Sequence, residues 1–368
     1  MNKRLNNFEA LRIVAMFMVL VLHYLDKGGL LTKVTEPFTP ASYVAYFLEA
    51  LAIVAVNVYV MITGYFMCES RMKVTRLVQI ICQVMWYSLL IPVVLALLGV
   101  VNLGSLTIYD WLYCIFPVHM RHYWFVTDYV VLLLFVPLLN MAIKHLSSKQ
   151  LALVASLLLL YQMFPKSILP VVFTDDEVGY GVVWFVCLYL IAAYIRKYGI
   201  AFFSSMRKSF VCYVAGALCI FLSLLAVRQV YFTLDAFGER INFAYHYNHI
   251  FCLIASVALF YAVKHWNMKD NKISRLIGRV APYTFGVYLL HEHRLVRYNW
   301  TKWLGVAPTE NILIMMAELL LKCFFVLVLG IVLDWLRTLV FGAIGKILTH
   351  TPLPKLINWT DRCLRGEA

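Results

Sequence analysis

Apolar runs long enough to cross a bilayer follow one another along this chain, separated by short polar stretches. A hydrocarbon core of roughly 30 Å needs about 20 apolar residues per helix and tolerates no unpaired backbone groups. The alternation therefore sets the fold class: all-α, a polytopic membrane protein of about ten transmembrane helices with N- and C-termini cytoplasmic. The spans are expected at 8–26, 42–67, 77–98, 124–143, 151–164, 180–195, 210–227, 244–263, 280–291 and 311–333. The fifth is short and ends at Pro165, and the ninth is short and carries polar residues. Trp111 to Pro117 reads as a partial helix in the interface.

Hydrophobic residues make up 63% of the 368 positions and charged residues 14%, far from the roughly half and quarter of a soluble domain. No polar block is long enough for a second folded domain. The organisation expected is a transmembrane domain over 1–335 and a cytoplasmic tail over 336–368, with Arg337 to Lys346 as an amphipathic surface helix. Met1 to Arg4 resembles a signal-peptide start, but the apolar run continues through Tyr24 without a small-residue cleavage pattern, so a retained first helix is expected.

The formal charge of +13 could suggest nucleic acid, yet the cations do not line one helix face. They collect between alternate apolar runs. With the N-terminus inside, cytoplasmic segments hold 22 of the 32 Lys and Arg. The exterior holds nine: Lys27, Lys33, Arg121, Lys166, Arg228, Arg240, Arg294, Arg297 and Lys302. This is the positive-inside asymmetry, and it places Asp175, Asp176 and Glu177 outside. The nine cysteines (68, 82, 114, 187, 212, 219, 252, 323 and 363) form no Cys-x-x-Cys pair and lie mostly in apolar runs. They read as small buried hydrophobes rather than a disulfide framework or a metal site. The chain shows no internal repeat of the kind transporters often carry.

The first span is the informative one. Arg12 and His23 are eleven residues apart, which on an α-helix puts them about 20° apart on one face and about 16 Å apart along the axis. Glu9 precedes Arg12 by three, close enough to pair with it. Ionisable groups inside a membrane usually face a cavity or a partner. One reading makes Arg12 an anchor for an anionic group and His23 a general base, since an unperturbed imidazole titrates near about pH 6.5. The other lets Arg12 snorkel to lipid phosphates and leaves His23 as a helix-end residue. Spacing alone leaves both open.

The Arg-x10-His spacing, in a helix that begins Phe8-Glu-Ala-Leu-Arg12, resembles the acyltransferase-3 family of membrane O-acyltransferases. Asn57-Val-Tyr-Val-Met-Ile-Thr-Gly-Tyr65 is similar to that family's second-helix motif, and Tyr123-Trp124-Phe125 with Pro137-Leu-Leu-Asn140 to its aromatic helix. Phe285-Gly-Val-Tyr-Leu-Leu-His291 is similar to its Gly-Val-Tyr-Leu-x-His segment. The matches occur in family order from Leu5 to about Asp334. The family's Arg-x-x-Arg is met by Lys73-Val-Thr-Arg76, with Arg71 nearby. The appended hydrolase domain of some members is not matched.

The resemblance implies transfer of an acyl group, most often acetyl, from cytoplasmic acyl-CoA to a hydroxyl of an extracytoplasmic polysaccharide or its lipid-linked precursor. Acetyl-CoA or another acyl-CoA would be a donor substrate rather than a tightly bound cofactor, and the setting a bacterial plasma membrane. Arg12, with Arg71, Lys73 or Arg76, would hold the CoA phosphates. His23 would take the proton of the attacking hydroxyl. Tyr123, Trp124 and Tyr288 are candidate oxyanion donors, with packing or interfacial anchoring as the alternative. Tyr123 and Trp124 are also candidates for the donor side, and Asp128 and His291 for the acceptor side. The alternative class is a secondary transporter or flippase for a lipid-linked sugar or small anionic solute.

Among the remaining polar residues, His291-Glu292-His293 lacks third and fourth metal ligands at any local spacing, so no metal is expected. Asp128 lies one turn beyond Trp124 and could share its cavity or pair with Arg121. Glu318 with Lys322 and Asp334 with Arg337 read as structural ion pairs, Glu49 lies in a span, and His246 and His249 could serve sugar binding or an interfacial belt.

Overall fold

The computed structural model describes residues 5–169, 177–348, 357 and 359–362. The expectations for Met1 to Arg4, Asp175, Asp176 and Cys363 fall outside the described residues. Among the described residues every regular element is helical. In order these are α1 (Asn6–Lys27), α2 (Pro40–Ala52), α3 (Ala55–Met67), α4 (Val74–Leu97), α5 (Ile108–Ile115), α6 (Trp124–His145) and α7 (Ser148–Ile168). There follow α8 (Val182–Lys197), α9 (Met206–Leu234), α10 (Ile250–Lys264), α11 (Lys272–Val280), α12 (Thr284–His291), α13 (Trp300–Trp303) and α14 (Ile312–Leu348), with four short 3-10 turns between them.

Among the described residues, seven stretches are long and apolar enough to cross a membrane: Asn6–Lys27, Pro40–Met67, Val74–Leu97, Trp124–His145, Met206–Leu234, Phe243–Lys264 and Ile312–Lys346. The other three expected spans are helical but shorter or more polar. α8 has 16 residues and is almost wholly internal: Trp184, Phe185, Leu188 and Tyr189 are all buried. α12 has only eight residues, because Pro282 breaks the run from α11 into α12 with a 3-10 turn, Ala281–Tyr283. The run at 42–67 is one crossing with a local irregularity at Ile53 and Val54, where the backbone stays right-handed helical.

Local chemistry sets several starts. Thr39 accepts from the Ser42 amide in a capping box, with Pro40 at the first helical position of α2. Asn271 caps α11 in the same reciprocal way with Ser274. At the far end Arg337 to Lys346, expected as an amphipathic surface helix, is helical and continuous with α14, which runs unbroken for 37 residues. That is about 56 Å of helix, well beyond a hydrocarbon core of roughly 30 Å.

Packing separates inner from outer helices. α1, α3, α8 and α10 are largely buried, whereas α4, α6, α7, α9 and α14 expose leucines and phenylalanines such as Leu97, Leu134, Leu157, Phe210, Leu321 and Phe324. An outward apolar surface suits lipid. Lipid supplies no hydrophobic drive between helices, so close contact depends on small residues. A Cβ on Gly64 would meet the Tyr189 backbone at 2.9 Å, and one on Gly216 the Ala255 Cβ at 2.9 Å. These two glycines let α3 lie on α8 and α9 lie on α10.

Asp334 is fully buried between α14, α4 and α12. It accepts from Gln83 Nε2 at 2.9 Å and the Tyr87 hydroxyl at 3.1 Å, and pairs with Arg337 at 2.7 Å. Glu318 and Lys322 pair at 2.7 Å. The C-terminal segment returns to the start of α4, where the Asp361 carboxylate accepts from the Val74 amide at 2.6 Å.

Candidate active site

α1 crosses the interior with one polar face. Arg12 and His23 both line a single cavity of about 440 Å³, whose walls come from α1, α3, α4, α6, α12 and the segment before α10. At the end beside the start of α4 the wall carries Arg12, Arg76, Gln79 and Gln83. Around His23 it carries Trp124, Phe125, Tyr247 and Tyr288. Between Arg12 and His23 the α1 wall is apolar, with Met16, Val19 and Leu22, and Val56 and Ile62 of α3 also line the cavity.

Each end is held by specific contacts. Arg12 Nη1 donates to Glu9 Oε1 at 2.7 Å, and the Tyr59 hydroxyl donates to the Arg12 carbonyl at 2.6 Å. Glu9 is buried, so the guanidinium sits against a fixed carboxylate and keeps its other N–H groups for the cavity. At the far end His23 Nδ1 lies 2.9 Å from His291 Nε2, and His291 Nδ1 lies 2.6 Å from the Val287 carbonyl. A carbonyl can only accept, so His291 carries its proton on Nδ1 and accepts at Nε2. His23 must then donate from Nδ1, which leaves Nε2 as its basic nitrogen.

Glu292 Oε1 lies 3.3 Å from the same His23 Nδ1. The carboxylate is buried, hydrogen-bonded to Lys27 and 3.9 Å from Arg297. A cation formed on His23 therefore meets a negative charge already fixed in place. In the sequence Glu292 stands out only as the middle of His291-Glu292-His293. Its adjacency to His291 was visible, but its approach to His23 depends on how α12 packs against α1.

Residues 5–335 match the acyltransferase domain of the acyltransferase-3 family. The chain belongs to the acyltransferase-3 family. No curated protein and no solved structure matches it. Family membership together with the apolar helices makes it a multi-pass membrane acyltransferase.

In this acyltransferase the resemblance motifs have visible packing roles. Asn57 is fully buried, accepts from Trp184 Nε1 at 2.9 Å and donates to the Tyr247 carbonyl at 2.9 Å, which fixes Tyr247 at the cavity. Asn140 donates to the Met67 and Ser70 carbonyls at 2.8 and 3.0 Å, closing the end of α3. Gly286 lies against Asp334, whose carboxylate carbon would be 2.5 Å from an added Cβ.

The cavity brings together Arg12, His23, Arg76 and Trp124, with His291 directly behind His23. Four other candidates stand apart from it. Tyr123 is buried and donates its hydroxyl to the Leu289 carbonyl at 3.0 Å. Asp128 pairs with Arg121 at 3.0 Å. Lys73 is the residue before α4, and neither it nor Arg71 lines the wall.

The structure also gives His293 neighbours that no local spacing reveals, since ligand atoms of Cys114, His122 and His293 lie within 4.8 Å of one another. Both imidazoles are already engaged. His122 is 3.0 Å from the Tyr113 carbonyl and accepts from the Arg294 amide at 3.2 Å. His293 is 3.4 Å from the Ser88 carbonyl and accepts from the Leu295 amide at 3.2 Å. The trio reads as a satisfied buried cluster. His23, His291 and Glu292 form a second group of this kind, with the hydrogen bonds given above.

Proposed function

We propose that this membrane acyltransferase moves an acyl group, acetyl in the first instance, from cytoplasmic acyl-CoA to a hydroxyl of a cell-surface polysaccharide or its lipid-linked precursor. The observation that carries the reading is the single cavity lined by Arg12 and Arg76 at one end and by His23 at the other. Donor and acceptor lie on opposite faces of the bilayer. A slender pantetheine arm entering such a cavity would bring its thioester to His23 while the CoA phosphates stay with the guanidinium groups.

In this mechanism His23 Nε2 removes the proton of the acceptor hydroxyl as its oxygen attacks the thioester carbonyl carbon. His291 holds the imidazole in the required tautomer, and Glu292 stabilises the imidazolium. A positioned base contributes about a hundredfold to ten-thousandfold in rate. Collapse of the intermediate breaks the C–S bond, and the thiolate leaves with the proton from His23.

The test is incubation of the purified protein with radiolabelled acetyl-CoA and surface-glycan acceptor. Label on the glycan, lost in His23→Ala that still inserts and elutes as a single species, is the expected outcome. Near-normal turnover by that variant would refute the base assignment. Transmembrane movement of an unmodified solute, with no label transferred, would favour the transporter or flippase instead.

A further inference from the structure

Tyr288 lies on α12 one turn before His291, is 6% exposed and faces the cavity beside His23. Its hydroxyl is shielded from solvent and its proton meets no hydrogen-bond acceptor among the described residues. Buried hydroxyls are nearly always paired. The other hydroxyl groups on this wall have partners. Tyr59 donates to the Arg12 carbonyl, Thr63 to the Tyr59 carbonyl, and Thr284 to the Ala281 carbonyl. Tyr129 bonds to Thr63, and Tyr247 to Tyr180. The Tyr288 proton is the one left without an acceptor.

A second feature converges on the same place. α6 begins at Trp124 with no side-chain cap from Tyr123, and Trp124 and Phe125 line the cavity. The Phe125 amide lies beside the Tyr288 oxygen, and the two rings are 5.9 Å apart. The open N-terminus of a 22-residue helix carries partial positive charge. It faces the phenol oxygen and so strengthens the phenol as a donor. The His291 ring is 6.0 Å from that of Tyr288 and 5.1 Å from that of His23, and Tyr288 and His23 both line the cavity.

We infer that the Tyr288 hydroxyl, backed by the N-terminus of α6, is the oxyanion donor of the acyl transfer, which rests on the reaction proposed above. When the acceptor oxygen bonds to the thioester carbon, the carbonyl electron pair moves onto its oxygen, and Tyr288 donates a hydrogen bond to it. The proton removed from the acceptor stays on His23 until the C–S bond breaks and the thiolate takes it. Tyr288 neither gains nor loses a proton over the cycle.

The test compares the full-length wild type with Tyr288→Phe in labelled acyl transfer. The ring is kept and the deleted hydroxyl donates to no protein acceptor, so the variant is expected to fold. Its kcat should fall by about a hundredfold or more, with the KM for acyl-CoA and the acidic limb of the pH profile unchanged. Difluorotyrosine at position 288 keeps the donor and should retain at least about a tenth of wild-type turnover, within the range one retained donor accounts for. Wild-type turnover in Tyr288→Phe overturns the inference, as does an equal loss in both variants. A wild type that transfers no label refutes the proposed reaction itself, a result distinct from either.

Discussion

His23 Nδ1 and His291 Nε2 are in hydrogen-bond contact at 2.9 Å although 268 residues separate them. The contact decides which nitrogen of His23 is basic, because the Val287 carbonyl fixes the tautomer of His291. His291→Phe keeps an aromatic ring behind His23 but removes the acceptor. Loss of tautomer control is expected to lower kcat on the order of a hundredfold, with the KM for acyl-CoA unchanged. His291→Gln, which retains an accepting oxygen, should recover part of the loss. Steady-state kinetics with labelled donor reads both, and a change confined to KM would remove His291 from this role.

Glu292 faces Lys27, Arg297 and His23 from a buried position. Glu292→Gln leaves those cations without their counter-charge, and breaking a buried pair from one side costs about 3–5 kcal/mol. Both thermal stability and turnover should fall. Adding Lys27→Met removes the nearer of the two stranded cations and should restore part of the stability without restoring turnover, since the imidazolium would still lack its carboxylate. Melting curves and initial rates on the single and double variants check this. Full recovery of activity in the double variant would mean that Glu292 acts only structurally.

The geometry of α1 was legible because helical spacing is local: eleven residues put Arg12 and His23 on one face whatever surrounds them. The seven long apolar stretches were legible for the same reason. What escaped depends on neighbours distant in sequence. Neither the approach of Glu292 to His23 nor the grouping of Cys114 and His122 with His293 has a periodicity to betray it. The continuity of α14 past Arg337 is not legible, because apolar length marks only the crossing at 311–333 and not where the helix stops. The Asp334–Arg337 pair, expected from its i,i+3 spacing, lies within that continuous helix. Tyr123 and Asp128 looked like cavity residues by position, yet their polar atoms are spent on Leu289 and Arg121.

That distinction gives a donor-side test. Arg12 and Arg76 line the cavity, whereas Arg71 does not. A charge-assisted hydrogen bond contributes roughly 1.5–3 kcal/mol. Arg12→Ala and Arg76→Ala should therefore each raise the KM for acyl-CoA by about tenfold to a hundredfold, with Arg71→Ala nearer the wild type. Because Arg12→Ala also strands the buried Glu9 carboxylate, the cleaner comparison is Glu9→Gln with Arg12→Ala. An unchanged KM in that double variant would take Arg12 out of the donor site.

Gly286 ties α12 to the scaffold. An added Cβ would lie 2.4 Å from the Asp334 Cβ and 2.5 Å from its carboxylate carbon. Asp334 cannot swing aside, being held by Gln83, Tyr87 and Arg337. Gly286→Ala must therefore push α12 off α14, and overpacking of this kind costs about 1–3 kcal/mol. α12 also carries Tyr288 and His291, so turnover should fall with stability. Gly342 supplies the control: it lies in α14 with nothing within 4 Å of a built Cβ. There alanine removes only the conformational freedom of glycine and should stabilise the helix by up to about 1 kcal/mol. Thermal unfolding of the two variants in the same detergent should move in opposite directions. A Gly286→Ala protein as stable and as active as the wild type would show that α12 can shift without disturbing the site.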